Sequence, residues 1–246
     1  MVISYISKYI TYLLVIQGCS MEQEHKTETE EGDRQPSPAC AILDDVLPHS
    51  TIRRQLEADW FLLNPNIRER FQRDPKPGEA VVYEGVMREI RCSKMGKLFA
   101  FLTRIIGNPL TPYEGRDIPM RVELLKVKGL PGVFWQRTYF FPNRKPYVVL
   151  SVKKESRAGE LMECVGGGFG MLLDVSARDQ SLHFESTRYF WEAFGRRIPL
   201  PHLLAPGRTH VIHEDMGGGE FQFTISMTHR NLGETFYQQG RFRRAS

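Results

Sequence analysis

The sequence predicts an α+β protein, mostly antiparallel β: a curled meander sheet or half-open β-barrel, with N-terminal helices and one amphipathic helix covering it. Three observations lead there. From Pro112 onward the chain is a succession of long apolar segments separated by short turns, and no connection is long enough for a parallel crossover. Several of these segments carry aromatics on both faces, and a long twisted sheet of that kind curls into a barrel or around a helix. Upstream, residues 50–71 and 93–107 place their apolar residues at helical rather than alternating spacing.

Taken in order, Ser50 or Thr51 can cap a first helix on which Ile52, Leu56, Trp60 and Leu63 recur. Asn64 then caps a second short helix that has Pro65 at its first position and Ile67 and Phe71 on one face. After the breaker DPKPG, AVVYEGVMREI at 80–90 reads as a strand. SKMGKLFAFLTRIIGNP at 93–109 reads as an amphipathic helix capped by Ser93 and stopped by Gly107 and Pro109. Its apolar face, Leu98, Phe101, Leu102 and Ile105, is expected to pack on the core.

Hairpins follow. IPMRVELLKVK and VFWQRTYFF flank GLPG, PYVVLSVKKE and ELMECV flank SRAG, and FGMLLDVSA and SLHFESTRYFWEAF flank RDQ. THVIHED and GEFQFTISM meet at Gly217, Gly218 and Gly219, and ETFYQQGRFR closes the chain. Between them RRIPLPHLLAPGR holds Pro199, Pro201 and Pro206, none of which can donate to a ladder. The segment is therefore a rigid corner, with Ile198, Leu200, Leu203 and Leu204 packing over one end of the sheet.

An apolar share of 41% suffices for a core, and the net charge of +4 is modest. The charge is uneven: residues 21–46 hold eight Asp and Glu against two Lys and Arg. The basic residues of the body are scattered along strands, which is not the pattern of a nucleic-acid binder. Residues 21–49 are polar and acidic, as in a disordered tail. In residues 1–20 the run YITYLLVIQGC fits either a lipoprotein-type signal with Cys19 as its lipidated residue or a start wrongly placed before Met21; it is too short for a transmembrane span. A cytoplasmic protein is expected, or a lipid-anchored one if that signal is real. Cys19, Cys40, Cys92 and Cys164 include no C-x-x-C pair, so neither a zinc knuckle nor a redox pair is expected.

Chemistry-bearing motifs are few. CVGGGFGM at 164–171 ends in neither G-K-[ST] nor a helix, and reads as a turn or bulge rather than a phosphate loop. In HVIHED, His210 and His213 lie on opposite strand faces; His213 and Asp215 share one face and are expected near solvent. No G-x-S-x-G or H-E-x-x-H motif occurs, which favours a non-catalytic domain without metal or cofactor. The strongest pattern is Trp135, Arg137 and Tyr139 on one strand face. Turned inward, Arg137 needs a carboxylate such as Glu163 or Glu185, or an anionic ligand. His183 and Glu185 share a second strand face. Trp135, Arg137, Tyr139, Glu163, His183 and Glu185 are thus the candidate ligand-binding residues, for a hydrophobic or anionic small molecule.

The runs LLNPNIRERF, YEGVMREI, KLFAFLTRIIGNP, WQRTYFF, LMECVGGGFGMLL, GRRIPLPHLLAP and GEFQFTISM, followed by LGETFYQQGRF, together resemble the bacterial family called domain of unknown function 4166. The resemblance spans about residues 50–243, expected to be a single domain. It implies no particular activity. Because similar sequences occur fused to NAD(P)-binding oxidoreductases, it implies an oxidoreductase partner as one alternative to ligand binding; the residues themselves leave a second, an enzyme of unknown reaction with His183, Glu185 or Arg137 at its centre.

Overall fold

A computed structural model describes residues 49–106, 110–193 and 196–245. The expectations for the signal-like segment, for the acidic tail up to residue 48, for Cys19 and Cys40, and for the Gly107 and Pro109 helix stop lie outside the described residues.

The strands are β1 (Ala80–Cys92), β2 (Gly115–Leu125), β3 (Val133–Tyr139), β4 (Tyr147–Glu155), β5 (Leu161–Cys164), β6 (Phe169–Arg178), β7 (Ser181–Ala193), β8 (Arg196–Pro199), β9 (Arg208–Gly217), β10 (Glu220–His229) and β11 (Gly233–Arg244). Each pairs antiparallel with its neighbour, and the β6–β7 and β1–β11 pairings close ten of them into a barrel, with β8 left outside the ring. Closure removes the edges that an open sheet would expose. Of the two expected shapes, curled sheet and half-open barrel, the barrel is the nearer, and its ring of ten strands closes.

The tightest constraint on closure falls on β7. Its first half, Leu182–Glu185, pairs with β9, whereas its second half, Phe190–Ala193, pairs with β8. The ring therefore parts above residue 185. The proline-rich corner fills the gap: β8 lies along the edge of β7, a one-turn helix follows at His202–Leu204, and Tyr189 donates to the Gly207 carbonyl at 2.9 Å. Pro199 ends β8, where its missing amide costs no ladder bond. The glycine run after β5 is a turn, with Gly167 and Gly168 at positive φ; a side chain on Gly168 would also overlap the Glu192 carbonyl.

The two ends of the barrel are built differently. At one end α1 (Thr51–Leu56), capped by Ser50, and α2 (Pro65–Phe71), capped by Asn64, enclose a 3-10 turn at Glu57–Leu62. Ile52, Leu56, Trp60, Leu63, Ile67 and Phe71 are all buried against the strands, and these helices seal that end. An Arg54–Glu155 ion pair at 2.7 Å and the Asn64 amide on the Gln180 carbonyl fasten them to strand ends.

At the opposite end α3 (Lys94–Leu102), capped by Ser93 as expected, lies against β1 and β11. Here the expected packing face is corrected. The helix buries its small residues, Gly96 and Ala100, while Leu98, Phe101 and Leu102 are exposed. The cause is close approach: a Cβ at Gly96 would overlap the Thr235 carbonyl oxygen of β11. A helix seated through a glycine turns its larger residues away from the contact. Gly96→Val is accordingly expected to lift α3 from β11, costing about 1–3 kcal/mol in urea unfolding and raising hydrogen exchange along 94–102 while the β3–β4 amides stay protected.

Candidate functional site

Alternation along three neighbouring strands assembles the interior polar group. On β3 and β4 the cross-strand partners Val133 and Lys153, Trp135 and Ser151, Arg137 and Val149, and Tyr139 and Tyr147 all face inward. On β5, Glu163 stands opposite Lys153. The Glu163 carboxylate thus meets two cations: Lys153 Nζ donates to one oxygen at 2.6 Å, and Arg137 Nη2 to the other at 3.2 Å. Ser151 bridges them, donating to Glu163 at 2.6 Å and accepting from Arg137 Nη1 at 3.1 Å. Trp135 lies below, its ring 4.7 Å from Lys153 Nζ and 5.9 Å from the Arg137 guanidinium carbon.

All three charged side chains are under 10% exposed. Burial alone would raise the Glu163 carboxyl, but Lys153 and Arg137 beside it, with the Lys153 and Ser151 hydrogen bonds, hold it down at about 2. Lys153 is drawn below its ordinary value by burial and by Arg137, which together outweigh its share of Glu163.

A third cation stands nearer the sealed end. Arg70 of α2 donates to His213 Nδ1 at 2.9 Å and lies 3.3 Å from the centre of the Phe221 ring, while its buried Nη1 has no hydrogen-bond partner among the described residues. Since an arginine only donates, His213 accepts through Nδ1 and carries its proton on Nε2. His213 is buried among Phe71, Phe184, Phe221 and Phe223, not near solvent as its strand end suggested. That burial and the nearby Arg70, Lys153 and Arg137 push it well below the usual histidine value. Burial also brings Arg70 down to about 10. The interior therefore holds Arg70, Arg137 and Lys153 against Glu163, an excess of positive charge offset at the margin by Asp215, which attracts Arg70.

Above Arg137 and Glu163 the barrel is hollow. The cavity measures about 440 Å³ and its lining is predominantly apolar, with Tyr139, Tyr189, Thr209 and Gln238 spaced around it. Tyr139 donates to Gln238 Oε1 at 2.9 Å. Leu102 of α3 and Leu204 of the corner line the cavity and are also exposed, so it reaches the surface between them. Its volume falls within the roughly 300–1,000 Å³ of small-molecule sites. A separate chamber of about 30 Å³ lies on the other side of Arg137, against Arg70 and His213.

Of the six residues singled out from sequence, Arg137, Tyr139 and Glu163 line this cavity, and Trp135 lies under its floor. His183 and Glu185 do not join them. They face outward, where His183 stacks on His210 and Glu185 pairs with Arg178 and Arg208. Sequence reasoning missed Lys153, Ser151, Arg70 and Gln238. The β4 alternation Tyr147, Val149, Ser151, Lys153 carried a signal for two of them; Arg70 and Gln238 depend on tertiary packing. Cys92 and Cys164 are free, and burial pushes both thiols up to about 11, far from the value of a nucleophilic cysteine. Among the described residues no cluster of His, Cys, Asp or Glu could hold a metal ion.

Two outcomes follow from this charge arrangement. Glu163→Gln leaves two buried cations without their counter-charge and is expected to cost about 3–5 kcal/mol in urea unfolding, whereas Glu163→Leu combined with Lys153→Met costs less. Acidification should weaken the fold in two windows. His213, held neutral in the folded state, costs stability as the pH falls below its unfolded value of about 6.5. The depressed Glu163 contributes stability above its unfolded value near 4.5, and this is lost as pH falls toward about 2. In pH-dependent denaturation, His213→Gln should flatten the upper window, leaving the smaller share of His183 and His210, and leave the lower one.

The chain is 26% identical over 203 residues to the uncharacterized protein YndH of Bacillus subtilis (strain 168), covering 78% of this chain and 96% of that one. No solved structure matches it significantly. No helix among the described residues is long and apolar enough to cross a membrane. The family model described as a domain of unknown function, DUF4166, matches residues 63–242, which take in α2, all but the last two residues of the barrel strands, the lining of the cavity and the mouth, so the chain belongs to the DUF4166 family.

Proposed function

We propose that the barrel binds an amphipathic small molecule, with its apolar part in the cavity and an anionic head against Arg137. The observation that carries this reading is the hollow itself. An apolar space of about 440 Å³ is held open inside a closed barrel, with a guanidinium in its floor. Interiors normally pack without such voids, and an apolar cavity left empty forfeits dispersion contacts on every wall. The excess of buried positive charge supports an anionic head, because an anion beside Arg137 would supply the counter-charge that Glu163 alone, shared with Lys153, does not. The cysteines with raised thiol values favour binding over catalysis, and so does Glu163, the carboxylate that accepts from Ser151, because two cations hold it ionised at about 2, too weak a base to activate a hydroxyl.

Displacement of anilinonaphthalene sulfonate tests it. Laurate should displace the probe at lower concentration than lauryl alcohol, and Arg137→Met should weaken laurate by about tenfold while leaving the alcohol unchanged. Val149→Phe with Val211→Phe fills the cavity from opposite walls; it should abolish probe uptake without lowering the melting temperature. Undiminished uptake by the filled variant, or no uptake by the natural chain, contradicts the reading.

A further inference from the structure

The rim of the cavity presents an apolar surface that the barrel does not use. Phe101 and Leu102 on α3 are 62% and 56% exposed, and Leu203 and Leu204 on the corner are 69% and 64% exposed. Leu98 and Ile198 extend the two sides. Leu102 and Leu204 line the same cavity, so the two apolar edges face each other across one opening. Large apolar side chains projecting together around a pore are costly in water unless something covers them.

The charge carried by α3 and the corner themselves is of one sign, and the neighbouring carboxylates Glu114 and Glu234 are paired with Lys97 and Arg91. Residues 94–106 contain Lys94, Lys97 and Arg104 and no carboxylate. Lys97 pairs with Glu114, while Lys94 and Arg104 are exposed and carry no ion pair among the described residues. The neighbouring β10–β11 turn adds exposed Arg230; it lies beside α3, since the His229 ring stands 6.5 Å from Phe99. The corner from Ile198 to Gly207 contains no Asp or Glu.

We infer that this end of the barrel docks on anionic lipid surfaces, with Phe101, Leu102, Leu203 and Leu204 entering the headgroup region and Lys94, Arg104 and Arg230 facing the lipid charges. Apolar side chains on a helix and turn, bordered by cations, are the composition that holds a peripheral protein at a bilayer. A second copy of the chain would bring like charges together and is disfavoured by the same cations. Docked in this way, the cavity opens toward the acyl chains, so an amphipathic molecule passes between bilayer and barrel without crossing water. The docking rests on the rim alone and stands whether or not the cavity binds the head group proposed above.

The test is vesicle flotation of the full-length chain with phosphatidylcholine vesicles and with vesicles that also contain phosphatidylserine. The natural chain should float with the second and only weakly with the first. Phe101→Asp with Leu203→Asp should reduce flotation roughly tenfold or more, and Lys94→Glu with Arg104→Glu should remove the preference for phosphatidylserine. All these positions are exposed, and probe uptake in solution should be unchanged in each variant, which separates loss of docking from loss of the cavity. Equal flotation of the apolar variant, no flotation of the natural chain, or a lipid-independent dimer or protein complex that the apolar variant dissolves would overturn the inference.

Discussion

One carboxylate organises the interior. Glu163 is the counter-ion of both Lys153 and Arg137, and these three side chains come from consecutive strands β3, β4 and β5, so their contact depends on the register of two hairpins. A slip of one residue in either hairpin would turn one of the charges outward and leave another buried alone. The network also fixes where packing stops. On one side of it Trp135, Phe71, His213 and Phe221 fill the barrel to small remnants of about 30 Å³ each; on the other the walls stand apart. The polar layer is at once the roof of the packed half and the floor of the cavity.

The two barrel ends follow from local sequence in opposite ways. At the sealed end, well-capped helices carry large apolar residues at helical spacing, and these enter the barrel. At the mouth, α3 is capped equally well, but Gly96 seats it flat on β11 and its large side chains stay outside. The prolines of the corner prevent β8 from continuing the wall of the barrel, and β7 and β9 diverge beneath it. An opening at this end is therefore a property of glycine and proline positions, not of a missing element.

Much of the fold was legible because its signals are short-range. Strand alternation, the turn residues at 129–132, 156–159 and 217–219, and the caps Ser50, Asn64 and Ser93 each act within a few residues. What sequence left open was closure, because the β1–β11 pairing joins segments about 150 residues apart and leaves no local trace. The site was legible in part. Arg137, Glu163 and Tyr139 stood out as polar residues on apolar strand faces, whereas His183 and Glu185, equally plausible by alternation, lie on the outer wall. Alternation gives two faces without saying which is inside, and β7, with its irregularity opposite Leu172 and Leu173, is the strand where that ambiguity matters most. The inward turn of Arg70 depended on the docking of α2, and the outward face of α3 on a single close contact with β11.

The central claim is that the hollow above Arg137 is a binding site and not a packing defect. Native mass spectrometry of the full chain, purified without detergent and followed by solvent extraction, tests it most directly. The account predicts a stoichiometric added mass that is released into the solvent as an amphipathic anion and is absent from the cavity-filled variant. A chain that carries only its own mass, and gains none when laurate is supplied, would contradict it.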